Sequence, residues 1–190
     1  MGWLDALLGR TRLPKARPEG LFALTTAQLA LKTELGWEPA GRAALCLKPI
    51  TTGAFRQLDE ELKDLVRAAA GETGTEIQVE TDSYRYRWIV LTDPQLDDLV
   101  ALIHLAAQEL QSHGYGPQLL AAVFRFTTPD RPAAYLIYNY KRGAFYPFVP
   151  TGSGKDRASD LEFQFQAAME KEMPIEPDVT RWYPMWGMPL

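Results

Sequence analysis

The stretch LLAAVFRFTTPDRPAAYLIYNYKRGAFYPFVP, Leu119 to Pro150, decides the fold. Its first two apolar runs flank the polar turn TTPDRP, and this pattern predicts a β-hairpin. After the turn KRG, Lys141–Gly143, the run AFYPFVP predicts a third, short strand. Proline has no backbone N–H to donate to a neighbouring strand, so Pro147 should place this third strand at an edge of the sheet.

Working towards the N-terminus, a second hairpin is predicted before this one. TEIQVET and YRYRWIVL are separated by a polar turn at Asp82 and Ser83, and aromatic and charged residues alternate at the start of the second run. Alternation with a period of two is typical of a half-buried strand. Further upstream, GRAALCLKPI predicts a strand that ends near Pro49. Strands joined by hairpins are antiparallel.

Apolar residues at helical spacing predict helices on either side of these strands. Thr25, three residues before Gln28, suggests a capping box for a helix that should stop at Gly36. Asp93 suggests the cap of a helix whose first residue is Pro94. Two further helices are expected over about residues 55–70 and 159–172.

The order of these elements predicts an α+β fold. We expect a mainly antiparallel sheet that is built from hairpins and covered by amphipathic helices, with an ordered aromatic C-terminal tail. Three parts follow along the chain. They are an N-terminal amphipathic helix and basic linker (1–20), a single α+β domain (21–175) and a docked aromatic tail (176–190).

Composition limits the function. The chain has 190 residues, of which 46% are hydrophobic and 23% charged, and this is ordinary for a globular protein. The net charge of −4 disfavours general nucleic-acid binding, which needs a concentrated basic face. The single cysteine, Cys46, excludes an intramolecular disulfide and fits a reducing compartment. No apolar run approaches a bilayer span, and MGWLDALLGR is not a secretory signal, so we expect a cytoplasmic protein.

The tail EPDVTRWYPMWGMPL, Glu176 to Leu190, places Trp182, Tyr183 and Trp186 among three prolines. A disordered tail is normally poor in aromatic residues, because it has no core in which to bury them. We therefore expect the tail to dock, either on its own domain or on a partner. In the first case both tryptophans should be mostly buried.

Motifs that carry chemistry are weak or absent. GSGKD lacks the first glycine and the final Ser or Thr of a phosphate-binding loop. His104 and His113 are nine residues apart without a nearby cysteine, which is not the spacing of a metal site. Cys46 lies in an apolar strand without a neighbouring base, so a buried, inert thiol is expected. We therefore expect no catalytic residue, no cofactor and no metal.

One cluster suggests binding. The turn Lys141–Gly143 presents two cations between aromatic strands, and it is either a solvated turn or a contact point for an acidic partner or lipid headgroups. We expect the docked tail to form part of the same surface. The residues expected to form the interaction surface are Tyr140, Lys141, Arg142, Phe145, Tyr146, Arg181, Trp182 and Trp186.

The N-terminal stretch offers a second kind of contact. Apolar residues at helical spacing precede a basic run, so the segment either packs on the domain or lies in the headgroup region of an anionic membrane. The expected membrane contacts are Trp3, Leu4, Leu7 and Arg10. The second alternative would place the cytoplasmic protein peripherally at the inner membrane face.

Four segments resemble one family. MGWLDALLGR, LFALTTAQLALKTELGWEPAG, YKRGAFYPFVP and PIEPDVTRWYPMWGMPL occur in the order seen in the PspA-associated protein B family, PspAB. Such proteins are encoded near PspA-type envelope-stress proteins and HtpX-like membrane zinc proteases. The resemblance implies an accessory factor of the phage-shock-like envelope stress response, with a PspA-like coiled-coil protein or an HtpX-like protease as its partner. It supplies no catalytic residues, and the chain lacks the HExxH motif of the protease.

The favoured hypothesis is therefore a non-enzymatic adaptor. Two alternatives remain open at this point. One is a small enzyme whose site is assembled from scattered residues, around Tyr138, Arg181 and Glu176. The other is a membrane-surface sensor led by the N-terminal helix.

Overall fold

The computed structural model describes residues 18–49, 60, 63–64, 66–68, 70–152 and 154–190. Within this part of the chain, six strands form one antiparallel sheet in the order β2-β3-β1-β4-β5-β6. The α+β class and the sheet built from hairpins are confirmed. The strands are β1 (Glu38–Leu47), β2 (Glu76–Thr81), β3 (Arg87–Thr92), β4 (Leu119–Thr127), β5 (Ala134–Asn139) and β6 (Ala144–Phe148).

The longer helices are α1 (Ala23–Leu35), α2 (Leu96–Ser112) and α3 (Ser159–Met169), and helical residues also occur at 60, 63–64, 66–68 and 70–73. Gly36 ends α1 as predicted, with a left-handed φ of 72°. The predicted capping box is wrong, because Thr25 lies inside α1 and its hydroxyl donates to the Phe22 carbonyl at 2.9 Å. Asp93 accepts from the Gln95 backbone N–H at 2.7 Å, and α2 begins at Leu96 rather than at Pro94.

The two faces of the sheet are covered by different parts of the chain. Successive side chains of a strand point to opposite faces, so Leu45 belongs to one apolar cluster and its neighbour Cys46 to the other. The helices cover the first face, which we call the helix side. The tail covers the second face, the tail side, whose buried members are Ala44, Cys46, Trp88, Val90, Ala121, Val123, Tyr135, Ile137, Tyr146, Phe148 and Trp182.

The tail is held by side chains that reach its backbone carbonyls. Four donors act along its length: Arg157 to Trp182 at 2.9 Å, Tyr146 to Tyr183 at 3.1 Å, Arg42 to Pro189 at 2.9 Å and Tyr135 to Leu190 at 3.2 Å. Trp182 is 4% exposed and its indole N–H donates to the Glu176 carbonyl at 2.9 Å. Trp186 is only half-buried.

Strand β6 forms an edge of the sheet, as Pro147 predicts. Residues 174–176 pair with it: the Phe145 N–H donates to the Pro174 carbonyl and the Glu176 N–H donates to the Phe145 carbonyl, both at 2.8 Å. This short parallel pairing leads the chain from the helix side to the tail side. The predicted N-terminal helix, with Trp3, Leu4, Leu7 and Arg10, lies outside the described residues.

Candidate functional site

The sheet topology brings two turns that are distant in sequence to the same end of the sheet. In the register, Leu47 lies opposite Arg87 on one side and opposite Leu119 on the other. The β2–β3 turn (residues 82–86) and the β5–β6 turn (residues 140–143) therefore both lie at the end of the sheet where β1 finishes and β4 begins.

A cleft with a volume of about 780 Å³ lies at this end, on the tail side, and we call it the turn-end cleft. Tail-side residues of the sheet form its floor: Cys46, Trp88, Ala121 and Tyr146. The β2–β3 turn forms one wall, the β5–β6 turn forms the opposite wall, and the tail borders the cleft with Arg181 and residues 183–186. Small-molecule and cofactor sites are typically clefts of about this size.

The first wall is aromatic and is shaped by one carboxylate. Asp82 accepts the backbone N–H groups of Tyr84 and Tyr86 at 2.9 Å each, and the indole N–H of Trp88 at 3.0 Å. Arg85 adopts a left-handed φ of 69° inside this turn. The turn leaves Tyr84 69% and Tyr86 36% exposed. Exposed aromatic rings that border one cleft are typical of a binding site.

The second wall is cationic. The Asn139 side-chain oxygen accepts the backbone N–H groups of Lys141 at 3.1 Å and Arg142 at 3.3 Å, which fixes the turn. Arg142 donates to the buried carboxylate of Glu176 at 2.7 Å, and this hydrogen bond raises the pKa of the Arg142 guanidinium. This ion pair therefore connects the β5–β6 turn to Glu176, the first residue of the tail.

Lys141 and Lys48 form a pair of like charges beside this wall. The nearby Lys141 is the main cause that lowers the pKa of Lys48, and burial lowers it further. Among the residues that the structure describes, neither lysine has an acidic partner within ion-pair distance. Two neighbouring ammonium groups repel each other, so an anion at this point would stabilise both.

Two titratable side chains on the floor of the cleft, Cys46 and Tyr146, have raised pKa values. Burial, with a smaller contribution from the charge of Asp82, raises the pKa of the Cys46 thiol from 9.0 to about 12. Since the thiolate is the nucleophile, this raised pKa disfavours nucleophilic chemistry at Cys46 near neutral pH. Burial also raises the pKa of the Tyr146 hydroxyl and, on the helix side, that of Tyr140.

These three groups predict alkaline destabilisation. Each has a folded pKa above its unfolded value, so its stabilising contribution is complete below the unfolded pKa and is lost as pH rises. The free energy of unfolding should start to fall near pH 9, where the unfolded thiol ionises. It should fall faster above pH 10, where the unfolded tyrosines ionise. Each group contributes about 1.4 kcal/mol per pH unit over this window.

Urea titrations from pH 7 to 11 measure this loss directly. Cys46→Ala should remove the part that begins near pH 9 and leave the steeper part. A free energy of unfolding that stays constant to pH 11 would contradict the prediction.

The structure brings together most of the predicted interaction surface. Lys141, Arg142, Tyr146, Arg181 and Trp186 line the turn-end cleft. The other three members do not line the cleft. Trp182 lies in the tail-side core, and Tyr140 and Phe145 are fully buried in the helix-side core.

The residues suggested for an enzyme site do not converge. Tyr138 is fully buried on the helix side, where its hydroxyl packs so closely on Gly20 that a Cβ there would clash. Arg181 lines the cleft on the tail side and pairs with Asp178 at 3.0 Å. The sheet therefore separates Tyr138 from Arg181. Glu176 is occupied by Arg142 and by the backbone N–H of Asp178.

The aromatic and basic residues that line the cleft but were not part of the predicted interaction surface include Tyr84, Tyr86, Lys155 and Tyr183. The repeated pairing of tyrosine with arginine in YRYRW was a signal for two of them, since exposed strand tips rarely carry two large rings. Lys155 belongs to the loop GSGKD. Because this loop does not match the phosphate-binding motif, the sequence provided no reason to include Lys155 in a site.

None of the helices in the described part of the chain combines the length and the apolar character that a membrane span requires. A comparison with protein-family profiles matches residues 1–190, the whole chain, to PspAB, PspA associated protein B. Searches of the curated proteins and of the solved structures find no match.

Proposed function

The chain belongs to the PspA-associated protein B family, and from this premise we propose that it is a non-enzymatic adaptor of the envelope stress response that binds a PspA-like protein. The turn-end cleft supports the proposal, because it combines exposed aromatic rings with cations on one surface. Buried aromatic residues and arginine contribute most of the energy of protein interfaces. PspA-like proteins are charged helical coiled coils, and a surface of this kind suits them.

Charge favours the same surface. The chain as a whole carries a net charge of −4, whereas four cations and a single carboxylate line the cleft. That carboxylate, Asp82, accepts hydrogen bonds from three N–H groups of its own hairpin. An acidic helix would therefore be attracted to the cleft and repelled by much of the remaining surface, which increases the rate and the specificity of association.

Lys141→Glu tests the proposal. Reversing this charge should weaken capture of the purified PspA-like protein from the same host by about ten-fold, or about 1.4 kcal/mol, because the charge that attracts an acidic partner becomes repulsive. Lys141 is a better target than Arg142, because Arg142→Glu would place a second carboxylate against the buried Glu176 and disturb the tail. The measurement is surface capture at 0.15 M salt, with the melting temperature of each variant recorded.

Lys171→Glu is the matched control, because Lys171 is exposed just after α3 and does not line the cleft. Equal capture by both variants would move the interface away from the cleft. A parallel capture with the HtpX-like protease tests the other partner that the family implies. Loss of capture for the protease alone would assign the surface to that partner.

A further inference from the structure

We propose that the turn-end cleft is also a binding site for a nucleoside phosphate, with the base beside the tyrosines of the β2–β3 turn and the phosphates on Lys141 of the β5–β6 turn. This inference rests on the geometry of the cleft and is independent of the proposed partner.

The two walls require an elongated ligand. Trp88 lies on β3 and Asn139 on β5, and strands β1 and β4 lie between them. Three strand spacings of about 4.8 Å separate the walls by roughly 14 Å. A ligand that contacts both walls must carry different groups at its two ends. A nucleoside diphosphate or triphosphate has this shape and this division between ring and charge.

The aromatic end suits a base. Tyr84 and Tyr86 stand on a turn that the Asp82 carboxylate holds, so their backbone positions are fixed before a ligand arrives. Exposed aromatic faces stack on bases of any sequence. Stacking on a base would therefore account for the exposure of these rings, which packing within the protein does not explain.

The opposite end suits phosphate. Lys141 lines the cleft, and Lys48 directly follows the end of β1, which lies at the same end of the sheet. Lys155 comes from the loop before α3 and lines the cleft as well. In the described part of the chain these lysines have no acidic partner within ion-pair distance, whereas Arg142 and Arg181 are paired with Glu176 and Asp178. Lysine ammonium groups bind phosphate as point charges.

Calorimetric titration of the full chain in metal-free buffer tests this site with three probes: ADP, adenosine and inorganic pyrophosphate. We expect saturable binding of ADP, and weaker binding of each fragment. Lys141→Ala should reduce the affinity for ADP and pyrophosphate by about ten-fold, which corresponds to the loss of one charge-assisted hydrogen bond. Its effect on adenosine should be negligible.

Tyr84→Ala should show the reverse pattern. It should reduce the affinity for ADP and adenosine by about ten-fold, because one stacking ring is removed, and leave pyrophosphate unchanged. Lys171→Ala, which lies away from the cleft, should behave like the unmodified chain. Unchanged melting temperatures would show that each variant is folded.

The absence of saturable ADP binding at millimolar concentration would overturn the proposal. Equal responses of Lys141→Ala and Lys171→Ala would do the same, since the phosphate would then bind elsewhere. Flotation with phosphatidylglycerol vesicles examines a lipid headgroup as the source of phosphate. Vesicle binding that Lys141→Ala abolishes, without any response to ADP, would replace the nucleotide with a lipid. Because every titration uses the protein alone, failure here leaves the adaptor proposal intact.

Discussion

A variant that ends at Ile175 is expected to lose most of its folding stability. The deleted residues cover the tail side of the sheet, where Phe148, Ile137 and Val123 would become accessible to water. Trp182 alone is 4% exposed, and the loss of one buried tryptophan costs about 3–5 kcal/mol. The total stability of a domain is only about 5–15 kcal/mol, so the truncated chain should be marginally stable and prone to aggregation.

Trp182→Ala and Tyr183→Ala in the full chain separate burial from chain length. The two residues are adjacent, but Tyr183 is exposed, so its substitution should cost less than about 0.5 kcal/mol. Trp182→Ala should lower the free energy of unfolding several times more than Tyr183→Ala does. Urea denaturation followed by circular dichroism gives both values. If the truncated chain melted like the full chain, the tail could not be part of the core.

The second large effect is expected for Arg157→Ala. Glu162 on α3 is 2% exposed, and its carboxylate accepts from Arg157 at 2.8 Å and from the Val149 backbone N–H at 2.8 Å. Arg157 also donates to the Trp182 carbonyl and lies over the ring of Phe148. Removing one member of a buried ion pair leaves an uncompensated charge, which costs about 3–5 kcal/mol. The helix side and the tail should both be weakened.

Arg181→Ala provides the comparison, because its pair with Asp178 is about 40% exposed. Such surface pairs contribute at most about 1 kcal/mol. The double variant Arg157→Ala with Glu162→Gln should recover part of the loss, because no unpaired charge remains and the amide oxygen still accepts from Val149. Equal losses for Arg157→Ala and Arg181→Ala would show that the buried pair is not a stabilising contact.

The fold was predictable because its signals are local. Each predicted hairpin is marked by a polar turn between two strand-like runs, and the hairpins at TTPDRP, at KRG and at Asp82–Ser83 all form. Pro147 places β6 at an edge because a missing N–H is a property of one residue. Helix starts were less predictable, since Thr25 satisfies the Phe22 carbonyl in α1 instead of capping the helix.

The candidate site was only partly predictable, because it depends on contacts that no local pattern encodes. Strands β1 and β3 are neighbours in the sheet although helical residues and β2 separate them along the chain. This arrangement brings Tyr84 and Lys141 to one cleft. The geometry of the β5–β6 turn decides to which face of the sheet the rings of Tyr140 and Phe145 point. The sequence shows that both rings are close to Lys141 along the chain, but it does not show that they point to the helix side.

The docking of the tail has a consequence for the time course of folding. Residues 176–190 follow all six strands, so during synthesis the sheet can assemble while its second face still lacks a cover. The hydrogen bond from Arg42 to the Pro189 carbonyl spans 147 residues, and contacts between such distant residues form slowly. A nascent chain that has not yet closed this contact exposes an apolar surface, which is when aggregation competes with folding. Chaperone dependence should therefore peak just before the tail emerges from the ribosome.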